Sequence, residues 1–139
     1  MPVADTEFLF ALNPKDCKHQ NAIRLLKEVS NLMVPDTAAL EFQAVLRARG
    51  RNPSQVKMAL LALYEVLKRN NVKEAKTLGL SLLAFQSEIE ENYGLSYFDS
   101  LLAASALTLD RQVISDDYAF IKYPVSREYH YPKNRLTQN

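Results

Sequence analysis

The residues best placed to do chemistry are acids: Asp5, Glu41, Asp99 and the adjacent pair Asp116 and Asp117. Asp5 follows a short apolar start, Pro2 to Ala4, and Asp116 and Asp117 follow the apolar pair Val113-Ile114. Glu41 lies on a predicted helix that leaves the apolar run Leu32 to Val34, and Asp99 stands in the first turn of another, where exposed N–H groups favour an anion. Taken singly, such acids are helix caps or strand ends. Taken together they fall where an open parallel sheet forms its sites, in the crevice at the carboxyl ends of the strands. Carboxylates gathered there repel one another and raise each other's pKa values unless a cation lies among them. Oxygen ligands without His or Cys suit a hard ion, Mg²⁺ or Mn²⁺, rather than zinc.

Strands alternating with helices must position these acids. The spacing predicts a strand over 2–4, helices over 6–12 and 18–28, and a buried strand over 31–34. A helix capped by Asp36 then runs to Arg49 and stops at Gly50. Asn52-Pro53-Ser54 opens another helix, with Val56, Leu60, Leu63 and Leu67 on one stripe, and Leu78, Leu82, Phe85 and Ile89 mark the next. These two are expected to pair as a protruding helical hairpin. A helix from Tyr97 to Leu109 contains Ala103, Ala104, Ser105 and Ala106, small enough to pack close to a sheet. A strand over 112–115, a turn or short helix over 116–120 and an edge strand over 124–126 complete the pattern. With no Asn-Gly hairpin signal, the expectation is a three-layer α/β/α fold around a short parallel central sheet. Residues 1–126 form the expected domain and 127–139 a C-terminal tail.

Composition bounds the function. At 139 residues, 47% hydrophobic and 24% charged, the chain has the makings of one folded domain with a core. No basic stretch precedes an apolar run at the start, and no stretch nears the ~18 apolar residues of a membrane span. A cytoplasmic location without membrane attachment is expected. Cys17 is the only cysteine, so no internal disulfide can form, and neither His19 nor His130 stands at zinc-ligand spacing from it. The glycine-rich phosphate loop and the Gly-x-Ser-x-Gly elbow are absent. Asp5-Thr6-Glu7 is not the Asp-x-Asp of a haloacid-dehalogenase phosphatase, and no lysine lies near a candidate phosphorylated Asp in the receiver manner.

A net charge of +1 offers no global attraction to nucleic acid, but charge is unevenly spread. Between Arg47 and Arg69 six cations (Arg47, Arg49, Arg51, Lys57, Lys68 and Arg69) face one acid, Glu65. From Asn71 to Asp110 acids outnumber cations. The basic stretch is either a solvated helix surface or a nucleic-acid face, and Arg47, Arg49, Arg51 and Lys57 are its candidates for backbone contact. Apolar residues off the helical stripes (Met58, Leu61, Tyr64, Leu80 and Leu83) call for a second partner surface, read as a homodimer. In the tail, Tyr118, Tyr123, Tyr129 and Tyr131 interleave with Lys122, Arg127, Lys133 and Arg135. That pattern suits either anchoring of the terminus or stacking on single-stranded RNA.

Four blocks resemble the PIN-domain family, in the family's order: Val-Ala-Asp-Thr-Glu-Phe-Leu-Phe-Ala-Leu from Val3 to Leu12; Val34-Pro35 with Leu40-Glu41 and Val45-Leu46; Tyr93 to Asp99 leading into Leu101-Leu102-Ala103-Ala104; and Val113 to Phe120, of the form Thr/Ser-x-Asp-x-x-Phe. The resemblance spans residues 1 to about 126. It implies that Asp5, Glu41, Asp99 and Asp117 form an acidic tetrad holding one or two divalent metals, with Asp116 as a possible substitute for Asp117. It also implies that Thr6 and Ser115 are polar neighbours, and that the activity is hydrolysis of RNA phosphodiesters. Glu7 is read as a surface residue. The chain is most similar to small VapC-type toxins, which implies a homodimer and an antitoxin whose C-terminal segment occupies the acidic groove. A housekeeping RNA-processing nuclease, or a PIN-like module that binds RNA or protein without cutting, would look much alike.

Overall fold

The computed structural model describes residues 2–109, together with the backbone of strands 112–114 and 120–122. Its first element, β1 (Pro2–Ala4), is the centre of everything that follows. Val3 and Ala4 are fully buried, one toward each face of the sheet, as alternation along a strand requires. α1 (Thr6–Ala11) follows at once and ends ahead of Asn13-Pro14, where proline disfavours helical backbone before it. α2 (His19–Glu28) leads to β2 (Met33–Pro35), then to α3 (Asp36–Ala48) and α4 (Pro53–Arg69). β3 (Lys73–Ala75), α5 (Leu80–Tyr93), α6 (Tyr97–Leu109), β4 (Gln112–Ile114) and β5 (Phe120–Lys122) complete the order.

The α3–α4 corner is built from local signals. Gly50 takes a left-handed φ of 88°, its N–H bonding Arg47 O at 3.0 Å while Arg51 N bonds Leu46 O at 3.2 Å. Asn52 then caps α4: its side chain accepts from Gln55 N, and the Gln55 side chain accepts from Asn52 N. Asn71, at φ 56°, closes α4 in the same left-handed way, with Val72 N on Leu67 O at 2.9 Å. Between them, these caps set a sharp turn at each end of a long helix.

The sheet order is β3-β2-β1-β4-β5. β1 pairs in parallel with β2 (Val3 opposite Met33) and with β4 (Ala4 opposite Ile114), and β2 pairs in parallel with β3. The chain thus builds outward from β1 through β3 and returns to the other side of β1. That reversal opens a crevice at the carboxyl ends of β1 and β4. One apolar cluster joins Ala4 and Val34 to α1, α2, α3 and α4, and the other joins Val3 to α5 and α6. This is the expected three-layer arrangement, and the small residues Ala103, Ala104 and Ala106 are fully buried in the second layer, as their size implied.

Several expectations need correction. β3 was not foreseen, because Lys73-Glu74-Ala75 carries no apolar alternation; only Ala75 is buried, and charge suits an edge strand. Its presence separates the two helices expected to pair as a hairpin. α4 packs with α3 on one face of the sheet and α5 packs with α6 on the other, so the helices pair as α3–α4 and α5–α6 rather than as α4–α5. A strand not expected, β5 at 120–122, runs antiparallel to β4 and takes in Phe120, expected in a turn or short helix; the edge strand expected over 124–126 lies outside the described residues, together with 115–119 and the tail. Asp36 is not the cap of α3. Pro35, held extended by its place in β2, takes that position, and the Asp36 side chain is released to reach the β3–α5 loop.

Candidate metal centre

Asp5 stands at the carboxyl end of β1, beside the topological reversal. It is nearly buried, and its Oδ1 accepts the Phe8 N–H at 2.8 Å, so it caps α1. The next residue, Thr6, is also buried, and its hydroxyl bonds the carboxylate of Glu41. Glu41 projects from α3, one turn beyond the helix start, because β2 delivers that helix into the crevice next to β1. Its partner in charge is Asp99, in the first turn of α6, where the Asp99 N–H bonds Ser96 Oγ at 3.2 Å.

Burial raises the pKa of Glu41 above its ordinary value, and the negative charge of Asp99 pushes it the same way; the Thr6 hydroxyl bond opposes both. Two carboxylates, half-buried and repelling, form a place where a cation would be strongly favoured. The donors are all oxygen, which fits a hard divalent ion. Among the described residues, however, no three acids, histidines or cysteines are gathered closely enough to hold a metal by themselves. The described part of the site is the Glu41–Asp99 pair, linked through Thr6 to Asp5. Asp116, Asp117 and Ser115 lie outside the described residues. Glu7 is turned away, pairing with Lys18 at 3.6 Å on the surface.

The four basic candidates divide. Arg47, Arg51 and Lys57 line a groove of about 600 Å³ between α3 and α4, together with Gln43, Pro53, Val56, Leu60 and Leu61. Arg49 is not part of that lining; its guanidinium sits over the Phe10 ring, 4.7 Å from the centroid. Gln43 and Arg47 are two and six residues beyond Glu41, which at about 100° per residue turns them roughly 200° and 240° around α3. Groove and acids therefore occupy different faces of one helix. Met58, Leu61, Tyr64, Leu80 and Leu83 are all exposed.

A feature the sequence reading missed is a polar cluster behind the acids. Asp36 accepts from Thr77 N at 2.8 Å, Leu78 N at 2.9 Å and the Thr77 hydroxyl at 2.6 Å. Thr77 Oγ1 also lies 2.8 Å from Ser105 Oγ, which lies 2.7 Å from Thr37 Oγ1. On α5 the buried Gln86 donates to Ser100 Oγ at 2.9 Å. Ser and Thr within apolar helices were the available signal, but only tertiary packing tells which hydroxyls meet.

Among the described residues no helix is long and apolar enough to cross a membrane. The PIN domain family model matches residues 3–125. The crystal structure of VapC20 from Mycobacterium tuberculosis, a sarcin-ricin loop cleaving toxin, superposes with a TM-score of 0.66 at 19% sequence identity, covering 88% of this chain and 98% of that one. At that identity the likeness is one of fold. No curated protein sequence matches the chain.

Proposed function

Because the chain belongs to the PIN domain family, we propose that it is a divalent-metal-dependent endoribonuclease, the toxin of a toxin–antitoxin pair, acting through Asp5, Glu41, Asp99 and Asp117. The observation that carries this reading is the Glu41–Asp99 pair. Burial and like charge disfavour its ionised form, at the carboxyl end of β1 where the strand order reverses. The toxin assignment draws on the similarity in fold to VapC20, whose substrate is the sarcin-ricin loop; for this chain the RNA is left as a class.

In this reading Glu41 and Asp99 would hold the cation, with Asp5 and Asp117 as the further oxygen ligands. A bound Mg²⁺ or Mn²⁺ would neutralise the phosphate and the leaving oxygen and favour hydroxide at neutral pH. Thr6 steadies the charged form of the Glu41 carboxylate by donating to it. Asp99 or Asp117 holds the attacking water and takes its proton. Arg47, Arg51 and Lys57 bind backbone phosphates of RNA beyond the scissile bond, since their groove faces away from the acids. The antitoxin would cover the acidic crevice, and a second copy of the chain would cover the exposed apolar residues of α4 and α5.

The decisive experiment is cleavage of a mixed RNA panel by the purified protein with Mg²⁺ or Mn²⁺, beside Asp99→Asn. Cleavage lost both on chelation by EDTA and in Asp99→Asn supports the nuclease. A folded, partner-free protein that neither cuts nor binds metal would instead be a binding module.

A further inference from the structure

The hydroxyl cluster behind the acids has a definite direction. Asp36, as a carboxylate, only accepts, and the Thr77 hydroxyl donates its one proton to it. Ser105 must therefore donate to Thr77, and Thr37 must in turn donate to Ser105. The result is a single chain of donations, Thr37 to Ser105 to Thr77 to Asp36, in which each bond polarises the next. Two further N–H groups, from Thr77 and Leu78, fasten the carboxylate at its end. Thr37 and Ser105 are both buried, so neither can trade its partner for water.

The chain crosses three elements. Thr37 belongs to α3, one turn before Glu41; Ser105 belongs to α6, the helix of Asp99; Thr77 belongs to the loop between β3 and α5. The α3–α6 packing is thus held by a buried attraction at Thr37–Ser105 and opposed by the like charges of Glu41 and Asp99. Without the first, the second would favour separation of the two helices.

Resting on the metal reading above, we propose that Thr37 and Ser105, anchored through Thr77 on Asp36, are positioning residues that hold α3 against α6 so that Glu41 and Asp99 remain within reach of one shared divalent cation. The hydroxyls touch neither metal nor RNA. Their effect is on the cost of bringing two repelling carboxylates together, and so on metal affinity before any chemistry.

The test is Mn²⁺ binding to the full chain, measured by calorimetry and by loss of the free-ion paramagnetic resonance signal. Thr37→Val keeps the shape and removes the donor, and is expected to weaken Mn²⁺ binding by about 3- to 30-fold. Thr37→Ser, which restores the hydroxyl, should bind within about twofold of the unaltered protein. Leu67→Ala, a core truncation on α4 away from the cluster, serves as the control: it should lower the melting temperature and leave Mn²⁺ affinity within about twofold. Unchanged affinity in folded Thr37→Val overturns the proposal, as does an equal loss in Leu67→Ala, which would mean general loosening. Should Thr37→Val fail to fold, Thr77→Val, at a half-buried position, cuts the same chain and is judged by the same outcomes. An unaltered protein that binds no Mn²⁺, or binding indifferent to Glu41→Gln, removes the metal reading and this proposal with it; binding that depends on Glu41 but not on Thr37 or Thr77 removes this proposal alone.

Discussion

At the scale of single residues, Asp5 and Glu41 show how a site costs stability and how that cost can be measured. Glu41 has a raised pKa, so between its ordinary value and its folded value the folded protein binds more protons than the unfolded chain. The metal-free protein should therefore lose stability as pH rises through that window. It follows that Glu41→Gln should raise the melting temperature of the metal-free protein at pH 7 while reducing cleavage by at least about 100-fold; a melting temperature below that of the unaltered protein would refute the account. Asp5 separates two roles. Asn caps helices as well as Asp does, so Asp5→Asn should leave stability within about 0.5 kcal/mol, whereas Asp5→Ala should cost about 1 kcal/mol, and both should lose Mn²⁺ affinity. Urea denaturation paired with metal titration checks both halves.

At the scale of elements, the fold depends on a few sharply defined ends. Gly50 closes α3 in left-handed geometry with open space around it, so an added methyl meets no neighbour and only the backbone conformation is penalised. Gly50→Ala should cost about 1 kcal/mol by denaturant unfolding, with RNA cleavage retained. α6 is different in kind. Leu101 is fully buried among Val3, Ala103 and Ala104, and Leu101→Ala should cost about 2–5 kcal/mol. Both elements were readable because their signals are local: Gly after a basic helix end, and a run of small apolar residues. β3 was not, since a three-residue strand with two exposed charged side chains exists only through its backbone bonds to β2.

At the scale of the whole molecule, the basic groups and the candidate acids stand apart. The α3–α4 groove carries Arg47, Arg51 and Lys57 over an apolar floor and lies around α3 from the acids. RNA bound there, as proposed, would be held electrostatically, so Arg47→Ala and Lys57→Ala should each lower the slope of log affinity against log salt by about 1 and leave the rate at saturating RNA nearly unchanged. Fluorescence anisotropy over a salt series would show it, and an unaltered slope would remove the groove from the RNA path. Arg49→Ala should behave differently, losing its packing on Phe10 without a comparable change in salt dependence. Exposed Met58, Leu61 and Tyr64 lie on the same long helix, and a dimer that uses them should fall to a monomer in Leu61→Glu by light scattering.

What the amino-acid order determined by itself was whatever depends on near neighbours. Helix positions followed from apolar period and caps, the family from four short blocks, and the proposed chemistry of the site from its acids, with no thiolate or imidazole at ligand spacing. The placing of Asp5, Glu41 and Asp99 near one crevice could be anticipated because strand ends and helix starts in a parallel sheet share an edge. Only the tertiary structure decided that Asp36 clamps a loop instead of capping its helix, that Arg49 lies over a ring while Arg47 lines a groove, and that Thr37 meets Ser105. The physical reason is common to all three. A side chain with several partners within reach is settled by which distant segment packs beside it, and that choice is made by the burial of other residues altogether.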